Sequence, residues 1–226
     1  MTTAFKVHGL SKVFNPGKNQ FRALDNVTFE IMPGESVAII GKSGSGKSTL
    51  MHQLALLDTP TSGKLYIQDQ LSTGLSARET EKLRNKQFGF VFQQFFINGN
   101  DTVINNVILP LKVAGVSKKE RTEKALRVLG QVELEDKAHS RAADLSGGQM
   151  QRVCIARALI NEPSIIFADE PTGNLDSATG KKIEDMLFDL NKKKNITLII
   201  VTHDLDLAKR CQRQLHIVDG KLTEEK

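Results

Sequence analysis

An α/β fold built on a mainly parallel sheet is predicted for this 226-residue chain by three observations. A glycine-rich segment, Gly41-Lys42-Ser43-Gly44-Ser45-Gly46-Lys47-Ser48-Thr49, follows the apolar run Val37-Ala38-Ile39-Ile40 and precedes a helical pattern with Leu50, Met51, Leu54 and Leu57 on one side. Apolar, β-rich runs at Glu35–Ile40, Ser164–Ala168 and Ile196–Val201 have the composition of strands buried on both faces. Helical patterns separate them: Thr179–Lys194 carries Ile183, Met186, Leu187 and Leu190 at helical spacing, and Leu205–Arg210 gives a short later helix. Strands alternating with helices imply a parallel sheet covered on both faces.

The first 34 residues follow a different pattern. Phe5–Leu10 and Arg22–Ile31 alternate, with turn signals at Asn15-Pro16-Gly17 and Pro33-Gly34, and predict an antiparallel edge sheet as an N-terminal β subdomain. Between Gln93 and Gly148 the pattern turns mainly helical. Ser117-x-x-Glu120 has capping-box spacing and opens a helix through Leu129, ended by Gly130. Residues 93–161 are therefore predicted as a helical subdomain inserted into an α/β core formed by residues 1–92 and 162–226. Phe95, Phe96, Ile97, Val103 and Ile104 cluster at the entrance to this insert; some must pack within it, but so many on a loop bracketed by Asn98-Gly99-Asn100 read as an exposed apolar docking groove. The tail Thr223–Lys226 is expected to fray.

Composition narrows the function classes. Hydrophobic residues make up 39% and charged residues 25%, as in an ordinary globular domain. No apolar run reaches the ~18 residues of a membrane span, and Met1–Lys6 lacks the apolar core of a secretory signal, so a cytoplasmic chain is expected. Two cysteines, Cys154 and Cys211, fit a reducing compartment and match no metal-ligand spacing. The net charge of +5 is spread among interleaved acids and bases, and with no Trp and one Tyr the chain lacks an aromatic platform, so no nucleic-acid partner is expected.

Residues 41–49 have the strand, glycine loop and helix context of a phosphate-binding P-loop. The glycines let successive N–H groups converge on an anion, and the new helix adds its positive dipole end behind the same oxygens. Gly41, Ser43, Gly44, Ser45, Gly46, Lys47, Ser48 and Thr49 are the candidate ATP-phosphate ligands. Lys47 is suited to reach the β- and γ-phosphates, and Ser48 to ligate Mg²⁺. The run Ile165–Ala168 ends in Asp169 and Glu170, the first a candidate Mg²⁺ ligand and the second a candidate base for the attacking water. Such acidic pairs also close strands before turns; downstream of a P-loop the chemical reading prevails. Leu145-Ser146-Gly147-Gly148-Gln149 opens a helix through Leu159, with Ser146 and Gln149 at capping-box spacing, making a second anion-binding helix N-terminus. An ordinary cap accounts for Ser146 and Gln149 but not for two consecutive glycines.

Leu145–Gln149 together with the P-loop resembles the ATP-binding subunits of ABC transporters, and the resemblance covers essentially the whole chain. It implies a head-to-tail homodimer in which each Leu145–Gln149 signature closes on ATP held by the other subunit, and a separate integral membrane permease. Position by position it also implies that Gln93 contacts Mg²⁺ and couples to the permease, and that Asn174-Leu175-Asp176 crosses the dimer interface. His203 would stand beside the γ-phosphate, although such a residue taken in isolation is more often a satisfied strand-end histidine. Phe14 stands where the family stacks an aromatic on adenine. The phrases Leu57–Gly63, Ala168–Asp176 and Thr202–Leu205 resemble the bacterial lipoprotein-releasing, macrolide-export and cell-division group. Gln94–Asp101 and Asn105 depart from that group where it faces its permease. The implied function is ATP hydrolysis powering export or extraction; the alternative is a cell-division ATPase acting as a mechanical regulator.

Overall fold

The computed structural model describes residues 2–15, 17 and 19–225. Pro16 of the first turn signal and Lys226 of the tail lie outside them. Two sheets carry the architecture. Strands β1 (Phe5–Phe14), β2 (Phe21–Ile31), β4 (Ser62–Ile67) and β5 (Gln70–Leu71) form an antiparallel sheet in the order β2-β1-β4-β5. Strands β3 (Ser36–Ile40), β6 (Phe88–Phe92), β7 (Ile165–Asp169), β8 (Thr197–Val201), β9 (Arg213–Val218) and β10 (Lys221–Glu225) form the second, in the order β10-β9-β3-β8-β7-β6. Within it, β9, β3, β8, β7 and β6 run parallel and only β10 is antiparallel. The N-terminal strands form the antiparallel β subdomain expected from sequence, a separate sheet that also recruits residues 62–71.

Burial explains this layering. In β3, every residue is buried, with Val37 and Ile39 in one core and Ala38 and Ile40 in the other. The first core lies between the two sheets and includes Phe5, Phe88 and Phe167, with Phe88 and Phe167 edge-on at 5.3 Å. The second is covered by helices α3 (Val103–Val107), α4 (Leu109–Val113), α5 (Lys118–Gln131), α6 (Gly147–Leu159), α7 (Ser177–Lys194) and α8 (Leu205–Lys209). Helices α1 (Lys47–Leu54) and α2 (Ala77–Gln87) precede this group. Among the described residues no helix is long and apolar enough to cross a membrane.

Four sequence expectations are corrected here. Helix α1 stops at Leu54 and Leu56 turns to φ 55°, so Leu57 leaves the helix and is exposed. Helix α5 runs through Gly130 to Gln131, and Glu133 takes the positive φ (56°) expected at Gly130. Its capping box is half made: Ser117 Oγ accepts from Glu120 N–H, while the Glu120 carboxylate pairs with Lys124 at 3.0 Å. The tail through Glu225 pairs antiparallel with β9, because backbone pairing opposite Gln214–Val218 offsets the entropy of ordering it. In the apolar cluster at the entrance to the insert, Val103 and Ile104 are the members that pack inward, in the helical core, which leaves Phe95, Phe96 and Ile97 as its accessible part.

Candidate functional site: a nucleotide cleft at the ends of parallel strands

Strands β3, β8, β7 and β6 are consecutive neighbours and parallel, so the segments after them share one edge of the sheet. That edge is where open α/β sheets bind ligands. It brings together the P-loop after β3, Thr202 and His203 after β8, Asp169 and Glu170 at the end of β7, and Gln93 after β6. Distant positions meet here because Phe92 pairs with Asp169 and Asp169 with Val201.

The P-loop is built on left-handed glycines: Gly41, Gly44 and Gly46 have φ of 152°, 77° and 113°. A Cβ on Gly41 would lie 2.3 Å from the Ile217 carbonyl oxygen, so the loop is pressed against β9. Lys47 Nζ donates to the carbonyls of Gly41 (2.8 Å) and Lys42 (2.9 Å). Since an ammonium has three donors, these two bonds aim the cation and leave a third donor for phosphate. Ser43 and Ser48 are exposed at the loop and first helical turn, with Thr49 half-buried beside them. Ser45 is buried: its N–H donates to Lys42 O, and its Oγ has no partner among the described residues. Open N–H geometry at a helix N-terminus, an oriented ammonium and an unpaired hydroxyl suit a polyphosphate.

The acidic pair is divided by environment. Burial, and then the neighbouring Glu170 charge, push the Asp169 carboxyl up, partly offset by His52 and Lys47. The Asp169 carboxylate, the Ser48 hydroxyl and the Gln93 amide oxygen all belong to segments at the same sheet edge and are hard oxygens of the kind that suit Mg²⁺. Glu170 adopts φ 45° with its N–H fixed to Val201 O at 2.9 Å. Its Oε1 accepts from His203 N–H (3.0 Å) and contacts His203 Nδ1 (2.7 Å), while Oε2 accepts from Thr202 Oγ1 (3.0 Å). The hydrogen bond and charge of Glu170 hold the His203 imidazole above its ordinary pKa, with the ring itself largely exposed. The carboxylate is thus oriented by the following strand end and available as a base.

Gln93 and Asn174 clasp each other: Asn174 Nδ2 donates to Gln93 O at 2.8 Å and Gln93 Nε2 to Asn174 Oδ1 at 3.3 Å. Asp176 caps α7, accepting from Ala178 and Thr179 N–H; the Thr179 side chain first, and then these backbone donors, hold its carboxyl below the usual range. Ser146 and Gln149 make a complete capping box on α6. A Cβ on Gly147 would meet Leu175 and Phe95, and one on Gly148 would meet Thr179 Cγ2 at 2.4 Å; no P-loop atom lies within 4 Å of either. The signature glycines and the P-loop therefore do not touch within one chain. Leu145, expected among the ligand contacts, is buried in the helical core and packs there instead. Phe14 ends β1 in the other sheet, 39% exposed, with Lys12 Nζ 5.0 Å over its ring.

Sequence reasoning missed Thr202, which steers Glu170, and Gln151, a wholly buried polar residue on α6. The signal for Gln151 was available: it falls in helical register with the inward-facing Cys154, Ile155 and Ala158. Both cysteines are buried, which pushes their thiols up, to about 11 for Cys154 and about 12 for Cys211, and leaves them inert.

Parallel-sheet topology and P-loop geometry define an α/β nucleotide-binding domain of the P-loop class. The family model described as ABC transporter matches residues 24–173, and the chain belongs to that family as an ATP-hydrolysing cassette. It is similar to the ATP-binding cassette MJ0796, solved as a dimer in a post-hydrolysis state with ADP and Pi: 43% identity, 98% of each chain covered, TM-score 0.88. It is also similar to cbiO1 from Clostridium perfringens, part of the transporter complex cbiONQ, at 28% identity over 99% of this chain and 88% of that one, TM-score 0.88.

Proposed function

We propose that the chain drives a separate integral membrane permease of the lipoprotein-releasing or macrolide-export type from the cytoplasmic face, and forms a homodimer when ATP is bound. The observation that carries this reading is the pair of helix N-termini, at the P-loop and at Ser146–Gln149, whose glycines press against different parts of the chain: Ile217 and Ala23 in one case, Leu175 and Thr179 in the other. A head-to-tail pair of chains gives each signature a phosphate to close on. The dimeric MJ0796 cassette and the place of cbiO1 in a transporter complex support it, and the phrases Leu57–Gly63 and Ala168–Asp176 support the subgroup.

In this reading Gly41, Ser43, Gly44, Ser45, Gly46, Lys47, Ser48 and Thr49 hold the phosphates of ATP, and Phe14 stacks on adenine. Ser48, Asp169 and Gln93 hold Mg²⁺, which neutralises charge on the phosphates when bound. Glu170 accepts the proton of the attacking water, and His203 orients that carboxylate. Ser146, Gly147, Gly148 and Gln149 reach the other subunit's ATP, and Asn174, Leu175 and Asp176 lie at the dimer seam. Residues 93–161 act as one helical unit. Its permease contact is Phe96, 64% exposed and edge-on to Phe92 at 5.6 Å, with Phe95 and Ile97 behind it.

Affinity purification from detergent extracts tests this. The expected result is one retained membrane protein, lost with Phe96→Ala while basal ATPase activity stays within about three-fold, because an exposed anchor dominates such a contact. A retained partner that moves no substrate would favour mechanical regulation. Recovery of no membrane protein by the wild type would refute the proposal.

A further inference from the structure

Gln151 sits near the start of α6 and is wholly buried. Its Nε2 donates to Pro171 O at 2.6 Å and to Phe92 O at 3.3 Å. Those carbonyls belong to the residue after Glu170 and the residue before Gln93. They lie at the ends of neighbouring strands, where Phe92 pairs with Asp169. One side-chain amide thus ties the signature helix to the backbone on both sides of the cleft's polar pair. Among the described residues no donor reaches its buried Oε1. The amide satisfies two interior carbonyls while its own acceptor stays unpaired, so it ties α6 to both strand ends in a way that an apolar Leu or Met could not.

The surroundings show what the amide does. Glu170 is fixed on its N-terminal side by its own N–H bond to Val201 O and by its left-handed φ. On its C-terminal side the Glu170 carbonyl accepts from Gly173 N–H at 3.1 Å, and Gln151 holds the next carbonyl, that of Pro171. Ser146 and Gln151 are less than two turns apart on one helix, so a displacement of the signature end carries the amide with it.

We propose that Gln151 is a positioning residue that sets Glu170 and Gln93 from the signature helix, so that engagement of Ser146–Gln149 is delivered to the hydrolytic geometry. The inference rests on the roles given to Glu170 and Gln93 above. Displacing a reacting group by about 1 Å costs on the order of 100-fold in rate.

Gln151→Met keeps length and approximate volume and removes both donors. The expected result is a kcat at least ~10-fold lower with KM and Kd for ATP within about two-fold, the pattern of a lost transition-state arrangement. Gln151→Glu, which turns acceptors toward both carbonyls, should lose at least as much. In the double variant with Glu170→Gln, the loss of turnover should be smaller than the product of the two single losses, since both act in part through one carboxylate. A folded Gln151→Met with kcat within about two-fold of wild type overturns the proposal, as does a multiplicative loss in the double variant. Wild-type turnover in Glu170→Gln alone would instead strike the underlying assignment, and this inference with it. If Gln151→Met does not fold, side-chain amide NMR of the wild type decides. Both Nε2 protons should be protected from exchange and shift on ATP addition; free exchange, or no response to ATP, overturns it.

Discussion

Replacing Glu170 by Gln separates catalysis from architecture, and the structure sets the size of both effects. The Gln Oε1 can keep the His203 N–H bond seen at 3.0 Å, and its amide can donate to Thr202 Oγ1, which already accepts from Asp204 N at 3.0 Å and has a second lone pair. What disappears is the charge in the contact with His203 Nδ1, on a ring 80% exposed. Exposed ion pairs contribute about 0–1 kcal/mol, and relief of the neighbouring Asp169 charge offsets part of that. The melting temperature should therefore move by less than about 4 °C. Turnover should fall by about 100- to 10,000-fold, because an amide is a far poorer proton acceptor. The pH dependence adds a sign. Glu170 raises the His203 pKa, so the stabilisation is fully present below about pH 6.5 and is lost as pH rises through the raised value. The melting-temperature difference between wild type and variant should then be larger at pH 6 than at pH 8.5. Phosphate release at saturating ATP and Mg²⁺, paired with thermal melts at the two pH values, measures both. Turnover within about three-fold of wild type in a folded variant would refute the assignment of Glu170 as the base.

Three further outcomes follow from the same cleft. Lys47→Ala should weaken ATP binding by about 30- to 5,000-fold, equivalent to ~2–5 kcal/mol, since the cation aimed by Gly41 O and Lys42 O is gone; titration calorimetry with ATP checks it. Asp169→Asn should raise the melting temperature of the metal-free protein by about 2–4 °C at pH 7.5, as ~1 kcal/mol does in a domain of this size. Because burial raises this carboxyl, the wild type loses stability as pH rises through the raised value, so the gain should shrink toward pH 4; melts across that range test the sign. Gly41→Ala should lower the melting temperature by at least about 4 °C, since its Cβ meets the Ile217 carbonyl at 2.3 Å in a backbone with φ of 152°. An unchanged melt would show that the P-loop can retreat from β9.

The linear sequence by itself determined the elements whose signal is local. The strands at 36–40, 165–169 and 197–201 were legible because both faces are buried and the apolar run is unbroken. The P-loop and the α6 capping box were legible because their hydrogen bonds run between residues a few positions apart. The Asp169–Glu170 pair was legible from its place at a strand end. Tertiary structure alone decided which sheet the N-terminal strands join, since β1 pairs with residues 62–67 through contacts that no local period encodes. It also decided the tail, where pairing with β9 supplies the partners that the isolated segment lacks. Gly130 misled because a helix end needs one left-handed residue and packing gave that place to Glu133. Which members of the 95–104 cluster pack inward was decided by tertiary structure, with Val103 and Ile104 buried, because apolar composition is the same in a groove and in a core. The clasp of Gln93 with Asn174 and the support of Glu170 by Thr202 and His203 span 81, 32 and 33 positions. Only the parallel register of β6, β7 and β8 brings those side chains within hydrogen-bonding reach, because a hydrogen bond acts over about 3 Å and sequence distance carries no information on that scale.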